Sequence, residues 1–189
     1  MDAISFLRAD HHEVLEMLSD LEDRTGSAAR LSTTDRAARG ELVTKLVIAE
    51  SGHEAVEEQY FWPAVRRVLP DGDMLADRAI EQEKAAKQLL DKLDKTEPDD
   101  PEFEGLVDQF IEDARAHIAY EQDQVWPKML TALNADQLAE LGEKMEQAKK
   151  VAPTRPHPHT PANPAVLKTA GPAVAAADRI RDAATGRGQ

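Results

Sequence analysis

The chain has 189 residues, of which 41% are hydrophobic and 31% charged, a composition that fits one soluble domain with an extension. Because it contains no cysteine, disulfides, thiolate metal sites and a cysteine nucleophile are excluded, and histidine and carboxylate remain as possible metal ligands. The formal net charge is −13 and is concentrated in the first 150 residues, which argues against binding of a nucleic acid because an acidic surface repels phosphate.

Four amphipathic segments with a period of about 3.6 residues predict four long helices. A turn at Thr25-Gly26-Ser27 follows the first helix, and Pro70-Asp71-Gly72 supplies a turn after the second. Pro63 and Pro127 lie within or near the ends of predicted helices, so we expect kinks or helix ends there. Strand patterns are absent, and the predicted fold class is therefore all-α. The helices span Asp2 to Arg24, the Ser32–Asp35 start signal to about Leu69, Met74 to Lys95, and the Asp100-Pro101-Glu102 start signal to about Leu130.

The rest of the chain predicts a short helix and an extension. A fifth helix is expected from its cap, Asn134, to Lys150. Residues 153–161 are rich in proline and predict extended, polyproline-like chain, and the alanine-rich residues 173–184 predict a weak helix that needs a partner surface. No apolar run is as long as a membrane span and the N-terminus shows no signal-peptide pattern, so we expect a cytoplasmic protein without membrane contact. The predicted division is a domain over residues 1–150 and a Pro/Ala-rich tail over residues 151–189.

One phrase of the sequence, H-x3-E-x4-W-P, occurs twice. The first copy begins at His53 and the second at His117, 64 residues later. Residues four apart share a face of a helix, so each copy directs an imidazole and a carboxylate the same way. Two such pairs on two helices indicate a metal site.

Helical wheels test which polar side chains share the apolar face of each helix. Glu50 lies near that face of the second helix and Tyr60 lies on it, whereas Glu54 and Glu58 are predicted to turn aside. Burying several ionisable groups without compensation costs several kcal/mol each, and bound metal ions would offset that cost. The donors suit iron or manganese. Six polar residues are predicted to face inward: His11, His53, Glu57, Glu83, His117 and Glu121.

Each of these residues has a simpler interpretation when it is taken alone. A single histidine on an apolar face is often an ordinary core residue, and Glu83 can instead pair with Lys87 one turn later. Trp62 and Trp126 are interpreted as core anchors beside the prolines. The metal interpretation gains weight because four helices each contribute.

This pattern resembles the hemerythrin-like HHE cation-binding family, through Asp10-His11 on the first helix and the two His-x3-Glu pairs followed by Trp-Pro. The likeness covers about residues 1–150, and the sequence that follows is similar to the tails of actinobacterial hemerythrin-like proteins. The resemblance implies an up-down-up-down four-helix bundle with a non-haem di-iron centre, bridged by carboxylates and an oxo or hydroxo group. The ligand positions that match are His11, His53, Glu57, His117 and Glu121.

The third helix departs from the family's oxygen carriers, which place two histidines there, four residues apart. This chain has Glu83 and Lys87 in that register. A carboxylate in place of an imidazole adds negative charge, which favours ferric iron and bound peroxide over releasable dioxygen. We therefore predict two iron ions, with manganese as an alternative, that react with hydrogen peroxide or dioxygen in a catalase-, peroxidase- or oxidase-like step. Tyr60 or Glu50 is a candidate for handling protons.

Other functions remain open at this point. A long Pro-rich extension with a basic end favours a sensor, in which iron or oxygen occupancy changes the exposure of the tail to a protein partner that the sequence does not identify. The acidic surface also fits iron sequestration, because it concentrates cations. The simplest alternative is a helical bundle without metal.

Overall fold

The computed structural model describes residues 1–23, 32–160 and 164–187. All regular secondary structure within these ranges is helical, which confirms the all-α prediction. The long helices form the four-helix bundle. Two of these four helices are not regular throughout, because each is built from two α-helices joined by a π-helical turn. In chain order the elements are α1 (Ala3–Asp23), α2 (Thr33–Val56), the first π-helical turn (Glu57–Phe61), α3 (Trp62–Val68), α4 (Gly72–Leu93), α5 (Phe103–Tyr120), the second π-helical turn (Glu121–Val125), α6 (Trp126–Ala132), α7 (Ala135–Lys149) and α8 (Pro164–Thr185).

Capping residues explain where two of these helices begin. Ser32 Oγ accepts a hydrogen bond from the Asp35 N–H at 3.1 Å, and the Asp35 carboxylate accepts one from the Ser32 N–H, so α2 begins with a complete capping box. Asn134 and Gln137 form the same arrangement at α7, which confirms the predicted cap. The predicted turn at Thr25-Gly26-Ser27 lies outside the described residues.

The predicted start of the fourth helix is wrong by a few residues. Asp100-Pro101-Glu102 forms a turn in which Asp100 Oδ1 accepts a hydrogen bond from the Glu102 N–H at 2.8 Å, and α5 begins only at Phe103. The aspartate side chain therefore stabilises its own turn instead of capping a helix, a use that short acidic side chains commonly have.

The distortion predicted at the prolines takes the form of a π-helical turn rather than a helix end. The Trp62 N–H donates to the Glu57 carbonyl five residues earlier, and the Trp126 N–H donates to that of Glu121. Each proline, which has no N–H to donate, follows in the first turn of the next α-helix. The helix thus continues past Pro63 and Pro127, and the wider turn changes the angular position of every side chain after Glu57 and Glu121.

The apolar core forms two clusters, and on α1 and α4 the inward-facing polar residue lies between them. On α1, Leu7 belongs to the first cluster and Val14 to the second, with His11 between them. On α4, Ala79 and Leu90 bracket Glu83 in the same way. The polar groups therefore occupy a layer with apolar packing on both sides, which limits the access of water.

The tail packs against the bundle. Helix α8 is longer than the predicted segment 173–184, and it packs against the first π-helical turn. Arg155 joins the tail to the bundle, with ion pairs of 3.1 Å to Asp94 and 2.8 Å to Asp182. The bundle is thus the partner surface that the weak helix needs. The division into a domain over residues 1–150 and a tail over residues 151–189 stays a prediction. Each of the described helices is too short or too polar to span a lipid bilayer.

Candidate metal centre

The structure brings the six predicted inward-facing residues together in the middle of the bundle. Five are almost fully buried, and the side chain of His117 is 13% exposed. They form two groups, in each of which four potential ligand atoms lie within 4.8 Å of one another. Glu57 and Glu121 belong to both groups. The first group adds His11 and His53, and the second adds Glu83 and His117.

The two carboxylate oxygens of Glu121 face different groups. Oε2 lies 3.2 Å from His11 Nε2, and Oε1 lies 3.2 Å from His117 Nε2. In the first group, His53 Nε2 lies 3.3 Å from Glu57 Oε2 and 3.2 Å from His11 Nε2. A carboxylate that directs one oxygen to each of two neighbouring donor groups has the geometry of a bridge between two cations.

All three histidines direct Nε2 to the centre and hold Nδ1 against a polar side chain outside it. His53 Nδ1 lies 3.2 Å from the Asp10 carboxylate, His117 Nδ1 lies 3.2 Å from Gln82 Oε1, and His11 Nδ1 lies 3.2 Å from the Gln122 amide. The oxygens of Asp10 and Gln82 are partners of the kind that fix the orientation of metal-binding histidines and keep the inner nitrogen available, whereas the Gln122 atom nearest His11 is the amide nitrogen. Gln82 and Gln122 are not among the six residues that were predicted to face inward.

Most carboxylate oxygens of the centre have histidines nearby but accept no well-formed hydrogen bond. Both oxygens of Glu57 and of Glu121, and Oε2 of Glu83, accept no hydrogen bond of good geometry from the described residues. Leaving such groups buried without compensation costs several kcal/mol each. Three imidazoles and three carboxylates form the donor set that iron and manganese accept, so the residues fit a pair of such ions.

Without metal, this centre must hold protons. Burial raises the pKa of Glu57 well above its usual range, and it raises the pKa of Glu83 to about 8. Burial lowers the pKa of His53 to about 4, so its imidazole is neutral. Burial also lowers the pKa of His117, but the charge of Glu121 outweighs it and the pKa rises to about 9. A cation that binds here therefore displaces protons, as ligand deprotonation requires.

Glu54 and Glu58 were predicted to turn aside from the face of His53 and Glu57, yet both are buried, at 2% and 4% exposed. Both face α4, where Lys87 Nζ lies 2.6 Å from Glu58 Oε1 and 3.9 Å from Glu54 Oε2. The alternative in which Lys87 pairs with Glu83 is therefore wrong, because the lysine reaches across to the neighbouring helix. The Glu83 carboxylate is therefore not paired with Lys87, and its Oε2 stays available to the centre.

The two tryptophans of the repeated phrase are more than core anchors. Trp62 Nε1 donates a hydrogen bond to Glu83 Oε1, and the Trp126 ring stacks on His11 with ring centroids 4.9 Å apart. Each tryptophan thus orients one residue of the centre. The signal was present in the sequence, since both copies keep tryptophan five residues after the glutamate.

Of the two candidates for handling protons, Glu50 lies near the centre and Tyr60 does not. Glu50 is 7% exposed and lines the same cavity as His11 and the other two histidines. Tyr60 instead lies under the tail, with Lys168 Nζ 4.5 Å from the centre of its ring. The helical wheel misplaced Tyr60 because the π-helical turn rotates the residues that follow Glu57.

Comparison with known proteins gives the same family. The model of the hemerythrin HHE cation binding domain matches residues 2–129. The crystal structure of an HHE cation-binding domain-containing protein from Mycobacterium kansasii superposes with a TM-score of 0.64 at 20% identity, covering 94% of this chain and 99% of that one. This likeness confirms the fold.

Two curated relatives also match in sequence. An uncharacterized hemerythrin-like protein of Schizosaccharomyces pombe is 25% identical over 69% of this chain, and a Nostoc protein named DNA nickase is 21% identical over 79% of it. The matched regions span 64% and 39% of those two proteins. The family model matches more than half of this chain, and the histidines and glutamates of the chain meet in one buried layer. This protein therefore belongs to the hemerythrin HHE cation-binding domain family.

Proposed function

We propose that this protein holds two non-haem iron ions and reacts with hydrogen peroxide or dioxygen, with manganese as the alternative metal. The observation that supports a pair of ions is the sharing of Glu57 and Glu121 by the two donor groups. In this proposal Glu57 and Glu121 would contribute to both ions, His11 and His53 would hold one of them, and Glu83 and His117 would hold the other.

The surroundings of the centre favour redox reaction over reversible oxygen carriage. Glu83 stands on the third helix where oxygen carriers have histidine, and Lys87 cannot act as a ligand while it pairs with Glu58. The buried Glu50 and Glu54 add further acidic groups. When bound, the metal pair supplies redox and Lewis-acid chemistry. Negatively charged carboxylates around the pair stabilise its higher oxidation state. The residues of the chain hold the pair and exclude bulk water.

The size of the adjacent cavity limits the substrate. It measures about 150 Å³ and is lined by the three histidines together with small apolar side chains such as Ala86 and Ala114. Most pockets for drug-sized ligands are larger, at about 300 Å³ or more, so a molecule of the size of hydrogen peroxide or dioxygen fits best. In the catalase-like form of the reaction, two molecules of hydrogen peroxide give two of water and one of dioxygen.

The test combines metal content with peroxide consumption. We expect protein grown in iron-rich medium to contain about two irons per chain and to show charge-transfer absorption of oxo-bridged iron. Added hydrogen peroxide should then be consumed, and dioxygen released, faster than by the same concentration of free iron. Iron-loaded protein that consumes peroxide no faster than free iron would remove the catalytic proposal and leave metal binding.

The role of Trp62 can be isolated because the second tryptophan provides a matched control. Trp62→Phe keeps an aromatic ring but removes the N–H that Glu83 accepts, so we expect metal affinity to fall on the order of tenfold. Trp126 Nε1 has no hydrogen-bond partner among the described residues, so Trp126→Phe should have a much smaller effect. Calorimetric titration with Mn²⁺ measures both, and equal losses would contradict the assigned role.

Signalling through the tail is the second candidate function, and one contact favours it. Helix α8 packs on the π-helical turn that begins with Glu57, and Lys168 of α8 covers the ring of Tyr60 in that turn. If metal occupancy alters the turn, the docking of α8 should change with it. Hydrogen exchange of the α8 amides should then differ between the metal-free and loaded proteins, and identical exchange would reject this function.

A further inference from the structure

Two cavities flank the candidate metal centre, and they differ in charge. The first, here called the helix cavity, lies between α4 and α5 and reaches from exposed Asp113 and Ala116 to the buried rings of His11 and His53. The second, here called the tail cavity, lies between the bundle and the tail, measures about 50 Å³ and is lined by none of the six residues of the centre. A metal ion must pass through the protein to reach a buried centre, so the two cavities are alternative routes.

The helix cavity is lined by two buried carboxylates, one without an ion-pair partner among the described residues and one with only a distant partner. Glu50 and Glu54 lie one helical turn apart on α2 and both line the cavity. Within the described parts of the chain, Glu50 forms no hydrogen bond or ion pair, whereas Glu54 Oε2 accepts no hydrogen bond and has Lys87 Nζ 3.9 Å away. Asp113 adds a further carboxylate at the surface.

The tail cavity has the opposite character. The carboxylate that lines it, Glu58, is already paired with Lys87 at 2.6 Å, and the Lys87 ammonium itself lines the wall. Arg155 adds a second cationic side chain, which is paired with Asp94 and Asp182. A cation on this route would meet fixed positive charge and no free carboxylate, so its dehydration would not be compensated.

We propose that metal cations load the centre through the helix cavity, with Asp113 attracting them at its mouth and Glu50 and Glu54 acting as transient ligands on the way to the histidines. This inference rests on the proposed metal centre. A cation that enters a buried site loses hydration, and carboxylate oxygens spaced along its path replace the lost water. A cleft lined by negative charge also raises the local concentration of cations and the rate at which they arrive.

The loading rate tests the route without relying on catalysis. Metal-free full-length protein is mixed with Co²⁺, and binding is followed by its visible absorption in a stopped-flow instrument. We expect Glu50→Gln to slow loading on the order of tenfold, with the final stoichiometry and spectrum unchanged. Asp113→Asn should slow loading less, because Asp113 is exposed to screening by salt. Glu112→Gln is the matched control, an exposed neighbour outside the cavity lining, and it should load at the wild-type rate.

A second pair of variants keeps the test informative if Glu50→Gln folds poorly. Ala116 is exposed at the mouth, so Ala116→Arg should slow loading and Ala116→Glu should match or exceed the wild-type rate. Unchanged loading in the folded variants of Glu50, Asp113 and Ala116 would overturn the route. A changed final stoichiometry in Glu50→Gln would make Glu50 a permanent ligand and overturn its transient role. Wild-type protein that takes up no Co²⁺ would instead refute the proposed metal centre.

Discussion

Glu121→Ala is expected to lower metal content from about two ions per chain to fewer than one, because this residue belongs to both donor groups. Its two oxygens lie 3.2 Å from His11 Nε2 and from His117 Nε2, so truncation removes a ligand from each ion at once. Elemental analysis of the purified variant after equilibration with iron measures the effect.

Two other variants show whether the loss is specific. Asp123→Asn removes an exposed negative charge from the same π-helical turn and should retain full metal content. Glu83 belongs only to the second group, so Glu83→Ala should weaken the binding of one ion and leave the binding of the other unchanged. If Glu121→Ala retained two ions, Glu121 could not be a bridge.

Removal of metal is expected to produce the second large effect, a marked loss of stability. The metal-free core buries carboxylates without partners, whereas bound ions stabilise only the folded state. At free metal near 100 times the dissociation constant, each site contributes about 2.7 kcal/mol. For a chain of this length, two such sites should raise the melting temperature by about 10 to 20 °C.

Thermal unfolding followed by circular dichroism, with chelator and with saturating Mn²⁺, measures this difference. The Glu121→Ala variant provides the control, because its melting temperature should hardly respond to added metal. Equal melting temperatures for the wild-type protein in both conditions would show that metal does not bind preferentially to the folded chain.

The sequence predicted those parts of the fold that depend on local periodicity. The apolar stripes of α1, α4 and α5 and the caps at Ser32 and Asn134 follow from spacing and side-chain chemistry alone. The six inward-facing residues were found for the same reason, since His11, Glu83 and the two His-x3-Glu pairs share the apolar face of regular α-helix. Their role as metal ligands stays a prediction.

Features that depend on irregular backbone or on contacts between helices were missed. A wheel of fixed angle misplaced Tyr60, because the π-helical turn after Glu57 has more residues per turn. Glu54 and Glu58 were predicted to turn aside because their partner, Lys87, lies on another helix, and spacing along one helix does not reveal such a partner. The surface on which the tail docks was not identified for the same reason, since the ion pairs of Arg155 join distant parts of the chain.

Anomalous X-ray diffraction from crystals of the iron-loaded protein, measured at the iron absorption edge, tests the dinuclear centre most directly. Two neighbouring peaks are predicted in the bundle core, both in contact with Glu57 and Glu121, one also with His11 and His53 and the other with Glu83 and His117. A single peak, or peaks away from these residues in fully loaded protein, would contradict the dinuclear centre.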